Sequence, residues 1–221
     1  MKLGYHVGDA FKELQGKTYD YLFFSPPCYE DLSFLGVDVK KPDSYRLKFL
    51  DLIVPQFNPR LGTVTVSFTG SRRNNSRILP KAFHLQFTFF NNGYYLKDLK
   101  HVMKSNKYNA YSHQCIDVYT FQKHGTKSIN NLRKENLYQT YGKDVWGPFN
   151  KEILLDGQVV GQPIEIAEYC IRQFTNPGHI VFDPFAGIGS TLAAAKRLKR
   201  KYLGFEIRES LWAFGSERFK I

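Results

Sequence analysis

Apolar and polar positions along this 221-residue chain alternate between strand-like and helix-like segments. Leu3–Val7 reads as a short strand that ends at Gly8-Asp9. Tyr19–Phe24 is an aromatic-rich strand running into Ser25-Pro26-Pro27. Prolines cannot continue a ladder, so the strand stops there and the chain turns. Tyr45–Val54 carries Leu47, Leu50 and Val54 at helical spacing, and Gly62–Phe68 alternates and is rich in Thr and Val, as a strand is. Tyr94–Met103 and Cys115–Phe121 read as two strands of a hairpin with a long loop. From Lys123 to Val160 there is little periodicity, and the stretch reads as an irregular insertion. Then come a helix over Ile164–Phe174 with Pro163 at its start, a buried strand Ile180–Asp183, a helix Thr191–Leu198, a strand Tyr202–Ile207 and a final helix from Glu209 to Arg218. Strands alternating with helices imply a single doubly wound α/β domain, with a mostly parallel sheet and helices on both faces. In such sheets ligands bind outside the carboxyl ends of the strands.

Composition narrows the class. The length suits one good-sized core, and 19 Phe and 14 Tyr supply the apolar area to build it. The formal net charge of +11 favours an anionic partner, and nucleic acid is the common one. Arg72, Arg73, Arg77 and Lys81 form one basic cluster, interleaved with Asn74 and Asn75. Lys97, Lys100, Lys104 and Lys107 form a second, beside His101, Tyr108 and Tyr111. Both suit phosphate contact. Lys196, Arg197, Lys199, Arg200 and Lys201 read as a solvated helix end. The three cysteines Cys28, Cys115 and Cys170 are far apart with no zinc-ligand spacing, so no metal is expected, and a reduced intracellular setting is. The start of the chain has no apolar signal region, and no apolar run approaches the ~20 residues of a membrane span, so a cytoplasmic protein away from membranes is expected.

Two short motifs carry the chemistry. Asp183-Pro184-Phe185-Ala186-Gly187-Ile188-Gly189-Ser190-Thr191 follows a strand and opens a helix. Gly187 and Gly189 let backbone approach a ligand without a Cβ clash, and the helix start offers free N–H groups. Glu206 ends the next strand, where a carboxylate can accept both hydroxyls of a ribose. Leu192 stands where a dinucleotide fingerprint has its third glycine, and there is no Gly-Lys-Ser/Thr of a P-loop. The second motif is Phe23-Phe24-Ser25-Pro26-Pro27-Cys28-Tyr29. A rigid Pro-Pro turn fixes the direction of its carbonyls, and with a serine hydroxyl these can accept hydrogen bonds from an exocyclic amine. Such an amine is a poor nucleophile because its lone pair is delocalised into the ring. Orienting its hydrogens frees that lone pair.

Together, and in this order, the motifs resemble the DNA amino-methyltransferases specific for cytosine N4 or adenine N6, in their permuted β class. Ser25-Pro26-Pro27 resembles the family's catalytic [SDN]-P-P-[YFW] motif, and Asp183 through Thr191 its D-P-F-x-G-x-G-[ST]-T cofactor loop. Gly8-Asp9, Asp144-Val145-Trp146, Gln162-Pro163 and Gly204-Phe205-Glu206 are lesser matches. The resemblance implies a Rossmann-like methyltransferase domain whose seven-stranded, mostly parallel sheet includes an antiparallel hairpin strand. It implies a catalytic half over 1–124, a target-recognition insertion over 125–160 and a cofactor half over 161–221. It implies S-adenosylmethionine as cofactor, held by Asp9, Gln162, Pro163, Asp183, Pro184, Phe185, Gly187, Gly189, Ser190, Thr191 and Glu206. It implies DNA as partner, held through Arg72, Arg73, Arg77, Lys81, Lys104 and Lys107, with the base flipped toward Ser25, Pro26, Pro27, Cys28 and Tyr29. A cognate restriction endonuclease is a candidate partner, and a monomer or a homodimer would serve. Serine at the head of the catalytic motif favours cytosine N4. Cys28 stands where the family has an aromatic, leaving two alternatives open: a cytosine-C5 methyltransferase with Cys28 as nucleophile, or a nucleic-acid-binding partner subunit without catalysis.

Overall fold

The computed structural model describes residues 2–13, 17–27, 49–69, 73–74, 77–78, 81–104, 115–131, 145–149, 153–155 and 158–221. Cys28, Tyr29, Arg72 and Lys107, and the start of the helix expected from Tyr45, lie outside them.

One large sheet organises the chain. Its strands are β1 (Gly4–Val7), β2 (Tyr21–Phe24), β3 (Thr63–Thr69), β6 (Tyr94–Lys104), β7 (Cys115–Lys123), β8 (Val145–Phe149), β11 (Ile180–Asp183) and β12 (Lys201–Glu206). They lie in the order β1-β12-β11-β2-β3-β7-β6-β8. Every neighbouring pair is parallel except β3–β7 and β7–β6, so β7 alone runs against the rest. The expected hairpin of β6 and β7 is therefore present.

Two-sided burial explains the composition of the central strands. All four residues of β2 are buried. Leu22 and Phe24 face one core with Val64, Val66, Phe182 and Phe205, while Tyr21 and Phe23 face the other with Val118 and Val181. The first core is closed by α1 (Ala10–Glu13), by the helical segment α2 (49–53) with the 3-10 turn Val54–Gln56, and by α3 (Lys81–Asn91), through Ala10, Leu50, Ile53, Val54, Leu85 and Phe89. The second is closed by α4 (Ile164–Phe174) and α5 (Ser190–Arg197), through Ile166, Cys170, Ile171, Phe174 and Ala194. A last helix, α6 (Glu209–Phe219), packs Leu211 on Ile188. Among the described residues no helix is long and apolar enough to cross a membrane.

The structure departs from the pattern reading at four places. The sheet has eight strands, because β8 adds an edge strand beside β6 from the stretch read as irregular. That stretch also holds the antiparallel pair β9 (Ile153–Leu155) and β10 (Gln158–Gly161). Trp146 of β8 is core: it is 2% exposed and meets Tyr169 edge-on at 5.2 Å. Helix α3 has no counterpart in the apolar pattern; its Phe83, Phe87 and Phe90 are exposed opposite the buried Leu85 and Phe89, so apolar residues cover more than one side.

The other two departures concern basic residues. Arg200 is buried, not solvated: its guanidinium donates to the Thr175 hydroxyl at 2.9 Å, the Thr175 carbonyl at 2.7 Å and the Leu198 carbonyl at 2.6 Å. Those bonds satisfy carbonyls at helix ends, which burial would otherwise leave unpaired. Lys100 is buried as well and pairs with Asp98 at 3.0 Å. An ammonium held inside the sheet in this way is structural, so this member of the second cluster does not meet phosphate.

Candidate active site

The two motifs meet at the carboxyl edge of the sheet. β11 and β2 are parallel neighbours, with Val181 opposite Tyr21 and Phe182 opposite Leu22. Asp183 and Ser25 therefore leave adjacent strands at the same edge. β12 lies on the other side of β11 and β1 beyond it, with Val7 opposite Glu206, which brings Glu206 and Gly8-Asp9 to that edge too.

The glycine loop is built by local hydrogen bonds. The Asp183 carboxylate accepts from Phe185 N–H at 3.0 Å, and Gly189 N–H reaches the Ala186 carbonyl at 2.7 Å. Ala186 N–H is held by the Phe205 carbonyl of β12 at 2.8 Å. Gly189 has φ 81° at the N-cap of α5, a left-handed conformation that favours glycine. Among the described residues no side chain caps the first N–H groups of α5. A Cβ at Gly187 would meet nothing among the described residues within 4 Å, which leaves space beside the loop. The Phe185 ring sits among Phe11, Phe24 and Phe49 at 5.5–5.9 Å and ties the loop to the first core. Pro184 and Thr191 are buried.

The acidic groups are held separately. One Glu206 oxygen accepts Gly187 N–H at 2.9 Å, and the other accepts Arg208 N–H at 2.9 Å with the Arg208 guanidinium 3.5 Å away. Each carboxylate oxygen has two lone pairs, so Glu206 retains acceptor capacity for a ligand. Asp9 accepts Phe11 N–H at 3.0 Å and starts α1. Burial, helped by the charge of Glu206, raises the Asp183 carboxyl from 3.8 to about 7 against the pull of its bonds from Thr191 and Phe185. Tyr5 donates its hydroxyl to the Gly187 carbonyl, and burial with Glu206 and Asp183 nearby pushes that phenol well up.

The Ser25-Pro26-Pro27 turn is tied in from two other elements. Gln162 Nε2 donates to Ser25 Oγ at 3.2 Å, and Gln162 Oε1 accepts from Ser67 Oγ of β3 at 2.7 Å. Gln162 immediately precedes Pro163, the N-cap of α4. Pro26 is buried and Pro27 half-buried. Ser67 and Tyr5 were not singled out from sequence, although both lie on strands that the apolar pattern reveals.

The basic residues are placed by backbone alone. β3 runs out at the carboxyl edge into β4 (Arg73–Asn74) and β5 (Arg77–Ile78), and α3 begins at Lys81. Lys104 ends β6 at the same edge. The topology thus gathers Arg73, Arg77, Lys81 and Lys104 on the site's side of the sheet.

The chain was compared with known families and solved structures. The family model N6_N4_Mtase, described as DNA methylase, matches residues 49–213. The chain belongs to that family of N6/N4 DNA methylases. The type II methyltransferase M.EcaI of Enterobacter cloacae is 34% identical over 97 residues, 41% of this chain and 21% of that protein. The match spans about a fifth of that relative's length. Among solved structures, the PvuII DNA methyltransferase, named cytosine-N4-specific, superposes with a TM-score of 0.76 at 18% identity over 97% of this chain and 85% of that one. The M1.HpyAVI–SAM complex gives 0.69 at 19% identity over 98% of both. At these identities the likeness is one of fold.

Proposed function

We propose that the protein transfers a methyl group from S-adenosylmethionine to an exocyclic amino group of a flipped base in DNA, cytosine N4 before adenine N6. The observation that carries this reading is the juxtaposition of Ser25-Pro26-Pro27 with the glycine loop at adjacent strand ends. The residues present fit the cofactor. Among the described residues nothing fills the space beside Gly187, Glu206 keeps lone pairs for ribose hydroxyls, and the buried Ser190 hydroxyl on the loop has no hydrogen-bond partner among those residues. An unpaired buried hydroxyl costs stability unless a ligand satisfies it.

Asp183, Gly187, Gly189, Ser190, Thr191, Glu206 and Asp9 would hold that cofactor, with Gln162 and Pro163 toward its methionine end. When bound, it supplies a methyl group made electrophilic by a sulfonium, so no covalent enzyme intermediate is needed. The Ser25 hydroxyl and the Pro26 carbonyl orient the target amine along the line of transfer. Holding reactants in that line contributes up to roughly 7–11 kcal/mol. Arg73, Arg77, Lys81 and Lys104 suit the DNA backbone. We assign target recognition to 125–160 apart from Asn131, whose amide is bound to carbonyls at the end of α4, and β8, whose Trp146 is core. We extend the same reading to a cytoplasmic location, a cognate restriction endonuclease as a candidate partner, and either a monomer or a homodimer.

The test is radiolabelled S-adenosylmethionine with mixed duplex DNA, digested to nucleosides. Wild type is compared with Ser25→Ala and Cys28→Ala. The expected result is label in N4-methylcytosine that survives Cys28→Ala and falls at least a hundredfold with Ser25→Ala, the loss typical of a transition-state hydrogen-bonding group, about 10²–10³. Label in 5-methylcytosine that vanishes with Cys28→Ala would overturn the mechanism. Tight DNA binding with no label would make the chain a non-catalytic partner.

A further inference from the structure

The Ser25 hydroxyl is engaged from one side. Gln162 donates to it through Nε2 at 3.2 Å, while Gln162 Oε1 accepts from the Ser67 hydroxyl at 2.7 Å. The register explains the encounter. β2 and β3 are parallel with Phe24 opposite Val66, so Ser25 and Ser67 are the next residues along adjacent strands. Gln162 closes the pair from the start of α4. The two distances match the two kinds of bond, since O–H···O bonds centre near 2.7–2.8 Å and N–H···O bonds are about 2.7–3.2 Å.

A hydroxyl has one hydrogen and two lone pairs. The Gln162 amide nitrogen uses one lone pair of Ser25, and among the described residues nothing accepts its hydrogen. Ser25 is left with one acceptor and one donor. The edge of a base that carries a transferable amine has the same two features in complement. In cytosine the amino group stands beside ring N3, and in adenine beside ring N1; the amine donates and the ring nitrogen accepts.

We propose that Ser67 is a positioning residue that sets the polarity of the Ser25 hydroxyl through the Gln162 amide, so that Ser25 accepts from the target amine while donating to the neighbouring ring nitrogen. This rests on the reading of Ser25 as the group that meets the base. The opposite amide orientation would place Oε1 against Ser25 and consume its hydrogen. The ring nitrogen would then face only lone pairs, and the base would lose one hydrogen bond and gain a repulsion. Ser67, by giving its hydrogen to Oε1, holds the productive orientation. Because Ser67 is fully buried, water does not compete for that bond.

The experiment uses the full chain, S-adenosylmethionine and two DNA duplexes, one with the natural target base and one with its deaza analogue. That analogue is 3-deazacytosine for a cytosine product or 1-deazaadenine for an adenine product. It removes the ring acceptor and keeps the amine. Gln162→Glu makes the linker acceptor-only and takes the Ser25 hydrogen; Ser67→Ala removes the hydrogen that orients the amide; Ser67→Thr keeps a hydroxyl.

The expected result is a kcat about tenfold lower for Ser67→Ala and about a hundredfold lower for Gln162→Glu, with Ser67→Thr restoring most of the loss, and, for the two Ser67 variants, cofactor Kd changed less than threefold in calorimetry. Wild type should lose about another tenfold on the deaza duplex, whereas Gln162→Glu should not distinguish the two duplexes. Comparison across enzymes removes any change in the amine's own reactivity. Equal deaza sensitivity in wild type and Gln162→Glu overturns the proposal while leaving Ser25 at the base. So does a loss confined to cofactor affinity. A wild type that makes no amino-methylated product overturns the site reading as well. Should Gln162→Glu fail to fold by thermal melting, deaza sensitivity in Ser67→Ala against Ser67→Thr decides: loss in Ala alone supports the proposal, equal sensitivity overturns it.

Discussion

Asp183 should make this protein less stable as pH rises. Its carboxyl is 3% exposed at the end of β11. Burial, with Glu206 adding to it, raises it from 3.8 to about 7, and the bonds from Thr191 and Phe185 only partly offset the cost. In the unfolded chain the group ionises near its ordinary value. The folded value is the higher, so the stabilising contribution is complete below about pH 4. It is lost as pH climbs through about 7. The interval corresponds to roughly 4 kcal/mol, at about 1.4 kcal/mol per pH unit. That is a large share of the 5–15 kcal/mol typical of a domain. Asp183→Asn removes the titration and keeps an oxygen for Phe185 N–H. Other groups titrate over the same range, so the quantity to measure is the difference between wild type and variant. Urea unfolding at pH 4, 5, 6, 7 and 8 provides it. The variant should gain on wild type by roughly 4 kcal/mol from the acid end to the neutral end. Parallel pH profiles for the two proteins would show that Asp183 is solvated or fully compensated, and the argument from burial would fail.

Two further outcomes follow from packing. A Cβ at Gly215 of α6 would lie 2.1 Å from the Ile188 carbonyl oxygen, a backbone atom that cannot swing aside. Gly215→Ala should therefore cost about 1–3 kcal/mol despite the better helix propensity of alanine, and should weaken cofactor binding by shifting the loop between Gly187 and Gly189. Melting with and without S-adenosylmethionine checks both effects, and an unchanged ligand-induced shift would count against the second. Trp146→Ala should cost about 3–5 kcal/mol, because its ring fills the second core beside Tyr169. DNA affinity, measured by anisotropy below the variant's melting temperature, should stay within about twofold of wild type if Trp146 is core and not a recognition side chain.

What was legible in the sequence was chemistry that lies contiguous in the chain. The strand Ile180–Asp183 and the helix Ile164–Phe174 begin and end where the apolar pattern puts them, because each buries a face that its own sequence defines. The glycine loop is legible for the same reason: its turn, its φ 81° glycine and its helix start are all local. Ser67 illustrates what was not legible. Nothing in a Thr-Val-Thr-Val-Ser-Phe run distinguishes its serine from other strand residues; its partner Gln162 arrives from the far half of the chain. The same holds for Arg200, which looks like one more base in a basic run until Thr175 is brought beside it. β8 was hidden because Gly147 and Pro148 interrupt it, while its pairing with β6 comes from across a long connection.

The same distinction explains why the site can be assembled from weak parts. A Pro-Pro turn alone is a common loop, and two glycines alone are a tight turn. Parallel pairing of β11 with β2 and of β2 with β3 brings Asp183, Ser25 and Ser67 side by side on three adjacent chain segments at one edge. An error of one residue in either register would turn the terminal side chains to the opposite face. That register is enforced by two-sided burial, since Leu22 and Phe24 must meet one core while Tyr21 and Phe23 meet the other. The apolar strands thus determine which hydroxyl meets which amide, and the hydrogen-bond polarity at Ser25 depends on the core that aligns the strands beneath it.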